Sequence, residues 1–368
     1  MKKKILFVMP NLAGGGAEKV LVNILNNIDY QNFDITLFLF QKYGIYIKQV
    51  NKNVKLKYIT EKFHTNFVNT IICKLLKYAP KVIYKLFIKE TYDVEIAFME
   101  GGSTNIIANS TNKESKKIAW IHADLHKFHW TENLYRHNEE CKCYEKFNDL
   151  VFVSKDAKDA FNELFKNNKV NKHIIFNPIV TDEILKKSEE FRVRYNEFTV
   201  VSVGRLSLEK GYDRLIKAHS TLVKQYPHKL VILGEGKERS NLEKLIGKLG
   251  VGKSVELKGF MNNPYPYIKE ADLFVCSSRS EGYPLVVAEA LVLGKPVIAT
   301  DVTGPREILQ NGEYGFLCDS SKEGLEAALR YLFENRHKLD YYKEKSKMAK
   351  NNFNYKAIIN KIEGLISL

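Results

Sequence analysis

The chain has no uncharged apolar run approaching the roughly eighteen residues that a membrane-crossing helix needs. No transmembrane helix is therefore expected. Its start, Met1-Lys2-Lys3-Lys4, is basic like a signal peptide. However, the apolar stretch 5–9 is too short for a signal core and runs into a glycine loop, so it reads as a strand. Without export, the chain is expected in the cytosol. Cysteine is scarce. Five residues, at 73, 141, 143, 276 and 318, are odd in number and scattered, which fits reduced thiols. No RNA-recognition or helix-turn-helix signature is present, and no strand interleaves aromatic and basic residues. Nucleic acid is thus the weakest partner class, and none is expected.

Positive charge, by contrast, is plentiful. The formal net charge is +14, which calls for an acidic partner such as a phosphate-bearing substrate or an anionic lipid. Residues 1–178 hold 27 Lys+Arg against 18 Asp+Glu, and the remainder holds 30 against 25. The first half is the more basic. An apolar fraction of 45% is that of an ordinary globular protein. At 368 residues the chain is long for one core and comfortable for two domains.

Short apolar runs alternate with helical patterns. Residues 5–9 form the first expected strand. Gly14-Gly15-Gly16-Ala17-Glu18 follows, then a helix through Val20, Leu21, Ile24, Leu25 and Ile28. Strand, glycine loop and helix N-terminus build an anion cradle. This loop is neither Gly-x-Gly-x-x-Gly nor a P-loop, so alone it is a weak signal. Further strands are expected at 33–40, 93–99, 117–122 and 149–153, with Ser154 capping the helix after the last. The alternation predicts a doubly wound parallel sheet.

Two features stand out in this half. Residues 64–90 place Ile71, Ile72, Leu75, Leu76, Ile83, Leu86 and Phe87 near helical spacing, with Lys74, Lys77, Lys81, Lys85 and Lys89 between them. Pro80 kinks or splits the run. Packing on the sheet and contact with an anionic membrane both account for this pattern. His122 ends the strand 117–122, where α/β sheets place their ligands. His126, His129 and His137 follow it, but no glutamate completes a zinc pattern, and Cys141-Lys142-Cys143 is too closely spaced for one. No metal site is expected.

Pro178 closes the first series, and the polar segment 181–197 reads as a linker. A second series has strands at 198–203, 230–233, 255–260, 273–276 and 296–300. Arg205 and Lys210 share the loop after the first of these, where a guanidinium grips two phosphate oxygens and an ammonium adds charge. Gly234-Glu235-Gly236 follows the second. After 273–276 comes Ser280-Glu281-Gly282-Tyr283-Pro284-Leu285-Val286-Val287-Ala288-Glu289. Here two carboxylates flank a turn and a helix start, itself an anion site. Acid at an anion site suits a ligand with both phosphate and hydroxyl groups, such as a sugar nucleotide.

Together these residues resemble the family 4 glycosyltransferases of polysaccharide biosynthesis, retaining enzymes of the GT-B fold. The matching pieces are Gly15-Gly16-Ala17-Glu18, Trp120-Ile121-His122, Gly204-Arg205 with Glu209-Lys210-Gly211, and Gly234-Glu235-Gly236. Glu281 and Glu289, Pro296-Val297-Ile298-Ala299-Thr300 and Gly304-Pro305-Arg306-Glu307 extend the match over nearly the whole chain. The resemblance implies an α/β protein of two Rossmann-like domains facing across a cleft. These would be residues 1–178 for the acceptor and 179–349 for the nucleotide-sugar, with a C-terminal helix in 350–368 crossing back to the first.

It also implies roles. Arg205 and Lys210 would neutralise the diphosphate of a nucleotide-sugar donor, foremost a UDP-sugar. The amides of Gly15, Gly16, Tyr283, Leu285 and Val286 would add donors. Glu281 would hold the transferred sugar, with His122 by its reacting face. Glu289 would take the ribose, and Gly204, Gly234 and Phe260 would border the nucleoside. The chain lacks Asp-x-Asp, the metal signature of the other large glycosyltransferase fold, so neither metal nor cofactor is expected. A lipid-linked or oligosaccharide acceptor in capsule, exopolysaccharide or O-antigen synthesis would suit the basic first half. The enzyme would then be cytoplasmic or peripheral on the inner membrane face. An inverting GT-B enzyme or epimerase, or a scaffold without turnover, are the alternatives.

Overall fold

The computed structural model describes residues 1–61, 66–127, 129–136, 139–166 and 168–368. The chain separates into two compact units, Met1–Pro178 with Lys356–Leu368, and Ile179–Tyr355.

The first unit is built on seven parallel strands: β1 (Lys3–Met9), β2 (Phe33–Gln41), β3 (Lys55–Thr60), β4 (Val94–Ala97), β5 (Lys116–Ile121), β6 (Asp149–Phe152) and β7 (Asn171–Ile174), in the order β3-β2-β1-β4-β5-β6-β7. Central strands are continuous apolar runs because helices cover both sheet faces; residues 5–9 of β1 are wholly buried. The connecting helices are α1 (Gly16–Asn27), α2 (Asn66–Tyr78), α3 (Pro80–Phe87), α4 (Gly102–Ala108), α5 (Glu139–Tyr144) and α6 (Lys155–Leu164). Pro80 starts α3, so the run at 64–90 is split there; residues 64 and 65 lie outside the described ones. The Ser154 hydroxyl accepts the Ala157 N–H at 3.1 Å, the expected cap of α6.

The second unit has six parallel strands: β8 (Thr199–Val203), β9 (Lys229–Leu233), β10 (Val255–Gly259), β11 (Leu273–Cys276), β12 (Val297–Thr300) and β13 (Phe316–Cys318), ordered β10-β9-β8-β11-β12-β13. Its helices are α7 (Thr181–Ser188), α8 (Tyr212–Leu222), α9 (Arg239–Leu249), α10 (Tyr265–Glu270), α11 (Leu285–Val292), α12 (Pro305–Ile308), α13 (Lys322–Glu334) and α14 (His337–Ala349). The final helix, α15 (Tyr355–Ser367), belongs to the first unit, where Ile359, Ile362, Leu365 and Ile366 are buried. Lys116 Nζ meets the Leu365 carbonyl at 2.8 Å, and the Asp29 N–H meets Glu363 Oε1 at 2.8 Å.

The segment 181–197 is not an open linker. Its first eight residues are α7, which buries Ile184. Asn263 Nδ2 donates to the Lys187 carbonyl at 2.8 Å, and Lys269 pairs with Glu189 at 2.5 Å. No described helix is long and apolar enough to cross a membrane.

Candidate active site

Strands β10, β9, β8 and β11 are neighbours in the second sheet, so the loops at their carboxyl ends come together. These loops carry Phe260, Gly234, Gly204 with Arg205 and Lys210, and Glu281 with Tyr283. Glycine is required where the backbones touch. A Cβ on Gly234, whose φ is +149°, would stand 1.9 Å from the Gly204 carbonyl oxygen. One on Gly211, at φ +67°, would stand 2.2 Å from the Ser277 carbonyl.

At the centre, Lys210 Nζ lies 2.5 Å from Glu281 Oε1. The Ser278 hydroxyl donates to the same oxygen at 2.6 Å. Oε1 is thus committed, whereas Oε2 has no partner among the described residues. Burial would lower the Lys210 pKa, but the Glu281 carboxylate outweighs it, and the net shift is upward. The ammonium is therefore fully charged at neutral pH. Arg205 is exposed, and its guanidinium makes no hydrogen bond or ion pair among the described residues. The Ser277 hydroxyl donates to the Lys210 carbonyl at 2.9 Å, and Thr300 Oγ1 donates to the Ser278 carbonyl at 2.6 Å.

Pro284 precedes α11, whose first turn presents the N–H groups of Leu285 and Val286. Glu289 lies deeper in that helix, 3% exposed, and accepts the Tyr265 hydroxyl at 3.3 Å. Phe260 is exposed. Burial, with the nearby Glu307 charge, pushes the Tyr283 phenol well up.

The remaining expected residues belong to the first unit. Gly15 precedes α1, and a Cβ there would meet Glu18 Oε2 at 2.2 Å. The chain's own buried carboxylate thus folds over Gly15 at the start of the helix. His122 directly follows β5. Its Nε2 lies 3.1 Å from the Phe98 carbonyl. A carbonyl only accepts, so Nε2 carries the proton and Nδ1 presents a lone pair. Burial lowers the His122 pKa to about 4, so the ring is neutral.

Glu100 was not singled out from the sequence. It is 1% exposed, and its Oε1 accepts the His122 N–H at 2.6 Å and the Ala123 N–H at 2.8 Å. Burial raises its pKa to about 7 against those hydrogen bonds. The signal that could have found it is a carboxylate at a strand end beside Gly101-Gly102. Of the other histidines, His129 Nε2 pairs with Glu140 Oε2 at 2.7 Å, His126 faces Glu163 at 3.5 Å, and His137 lies outside the described residues. Among the described residues, no group of three His, Cys, Asp or Glu side chains is placed to hold a metal ion.

Residues 183–353 match the family described as glycosyl transferases group 1. An uncharacterized glycosyltransferase of Haemophilus influenzae is 27% identical over the whole of both chains. The Campylobacter jejuni N-acetylgalactosamine-N,N'-diacetylbacillosaminyl-diphospho-undecaprenol 4-alpha-N-acetylgalactosaminyltransferase is 32% identical over 54% of each chain. Among solved structures, Anabaena HepE in complex with UDP aligns over both full chains at TM-score 0.77 and 21% identity. HepE has also been solved with UDP-glucose, a structure that aligns at TM-score 0.78 and 21% identity over 99% of this chain and 100% of HepE. TarM aligns at TM-score 0.77 and 15% identity, over 100% of this chain and 99% of TarM.

Proposed function

From the premise that residues 183–353 belong to the group 1 glycosyl transferases and that the two sheets are those of the GT-B fold, we propose that the chain is a retaining glycosyltransferase. It moves a sugar from a nucleotide-diphosphate donor, a UDP-sugar first among them, to a lipid-linked saccharide in capsule, exopolysaccharide or O-antigen assembly. The observation that carries this is the Lys210–Glu281 pair: a fixed cation beside a carboxylate with one oxygen open, at an α-helix start.

Arg205, Lys210 and the amides of Tyr283, Leu285 and Val286 take the diphosphate. Negative charge grows on it as the glycosidic bond breaks, and charges already in place stabilise that change without rearrangement. Glu281 Oε2 accepts a sugar hydroxyl while Oε1 holds Lys210. In the first unit, His122 offers Nδ1 as a hydrogen-bond acceptor. Glu289 takes the ribose, with Gly204, Gly234 and Phe260 beside the base. Within the first unit, Glu18 lies over Gly15 at the start of α1. The acceptor attacks from the face the phosphate leaves, which keeps the configuration without an enzyme nucleophile.

The fixed cations do the neutralising for which a metal serves elsewhere, so turnover should withstand a chelator. The UDP and UDP-glucose bound by HepE support the donor class. The diphospho-undecaprenol acceptor named for the Campylobacter relative supports a lipid carrier, and with it a site of action at the inner membrane face.

A donor screen by nucleotide release tests this. Lys210→Ala and Arg205→Ala should each lower turnover by about 10²–10³. Near-normal turnover in both would remove the phosphate role. A scaffold would release nucleotide from no donor, and product NMR separates retention from inversion.

A further inference from the structure

We propose that Arg279 is a positioning residue that straps the Lys210 loop to the Glu281 loop and so sets the ion pair between them. The proposal rests on the donor-site reading above. Arg279 Nη1 and Nη2 grip Asp213 Oδ1 and Oδ2 at 2.8 and 2.9 Å, at the start of α8. Nη1 also donates to the Leu208 carbonyl at 2.6 Å, and the Arg279 backbone N–H donates to the Glu209 carbonyl at 2.6 Å. Every acceptor lies within three residues of Lys210, and Arg279 stands two before Glu281.

A lone, partly exposed ion pair contributes little. This guanidinium differs because its fork closes a span of 66 residues and also fills a backbone acceptor. An ammonium cannot reproduce a two-pronged grip. Arg205 and the α11 amides would still bind the diphosphate if the strap were cut. Lys210 would lose its fixed place, and a misplaced charge weakens transition-state stabilisation more than ground-state binding. The loss should therefore fall on kcat rather than on the donor KM.

The test uses full-length Arg279→Ala and Arg279→Lys with two readouts. With the best donor, kcat should fall by about 10²-fold for alanine and substantially for lysine, with KM little changed. Independently of substrate, mild acylation followed by mass spectrometry should label Lys210 several-fold faster in both variants. Lys295, half-buried elsewhere in the same unit with its Nζ on the Ala271 carbonyl at 2.9 Å, serves as the control: a rise at both lysines marks unfolding, and Arg279→Lys then carries the measurement. Unchanged Lys210 labelling with wild-type kcat in the lysine variant would overturn the strap. Lys210→Ala and Glu281→Ala run alongside. If they keep full turnover while the Arg279 variants expose Lys210, the strap stands and the donor-site reading falls.

Discussion

Two residues at the end of β5 and β4 are tied into one unit, and their titration can be separated. His122 is held by its ring to the Phe98 carbonyl and by its amide to Glu100. Burial keeps the ring neutral down to about pH 4, so His122 should contribute no loss of activity between pH 8 and 5. Histidine NMR shifts unchanged over that range would confirm it, and an imidazolium appearing near pH 6 would refute it. Glu100 moves the other way. Its carboxyl titrates at about 7 in the fold but near the ordinary carboxylate value when unfolded. Between these values the folded state holds the extra proton, so stability is full at low pH and declines as pH rises through about 7. Glu100→Gln should remove that decline, worth on the order of 1–3 kcal/mol, in denaturant unfolding compared at pH 5 and pH 8. Parallel curves for the variant and wild type would contradict it.

At the scale of elements, α8 is joined to the start of β9 by a buried histidine pair. His228 Nδ1 donates to the Tyr226 carbonyl at 2.6 Å, which leaves its Nε2 to accept the His219 Nδ1–H at 2.8 Å. His219 Nε2 then accepts the Ser254 hydroxyl at 2.8 Å. In this arrangement both rings are neutral, as their burial favours. Burial and the His228 neighbour push His219 down to about 3, and burial also lowers His228. The unfolded rings protonate near 6.5. Stability from the pair is therefore complete above that value and lost as pH falls below it, by up to about 1.4 kcal/mol per pH unit for each ring. His219→Asn with His228→Asn should flatten the midpoint between pH 6.5 and 4; an unaltered slope would exclude the pair as its source.

The same scale shows what was legible in the sequence. The strands expected near 5–9, 198–203 and 273–276 are interior strands, and burial on both faces makes them continuous apolar runs. The unforeseen β3, β7 and β13 are all sheet edges. Edges are short or carry polar residues such as Lys55, Lys57, Asn171 and Lys172, so their signal is weak. In α7, Ile184 is the only buried apolar side chain, too little to show a helical period. Arg205, Lys210 and the two glutamates could be read because strand, loop and helix follow one another in sequence. The Arg279–Asp213 strap joins residues that only the strand order brings together.

For the whole molecule, the excess of basic charge in the first half becomes specific on α2 and α3. Ile72, Ile83 and Tyr84 pack inward, with Ile88 buried just beyond α3, so packing on the sheet accounts for one face. Leu75, Tyr78, Val82 and Leu86 remain 37%, 54%, 50% and 59% exposed, and each directly follows a lysine: Lys74, Lys77, Lys81 and Lys85. Exposed apolar side chains interleaved with lysines are suited to the headgroup layer of an anionic membrane, where the lipid-borne acceptor of the proposed reaction would reside. Each lysine near such a surface is worth about 1 kcal/mol. Removing four charges would cost roughly 4 kcal/mol, or about 10³ in partitioning, and reversing them more. Flotation with vesicles containing anionic lipid should therefore carry the wild-type chain and leave Lys74, Lys77, Lys81 and Lys85→Glu at the bottom. Val82→Ser with Leu86→Ser should weaken flotation even at low salt, which separates insertion from charge attraction alone. Because α2 and α3 lie outside the unit that carries Lys210 and Glu281, nucleotide release from donor in solution should survive both sets. If the glutamate set floats as the wild type does, α2 and α3 are surface helices and nothing more.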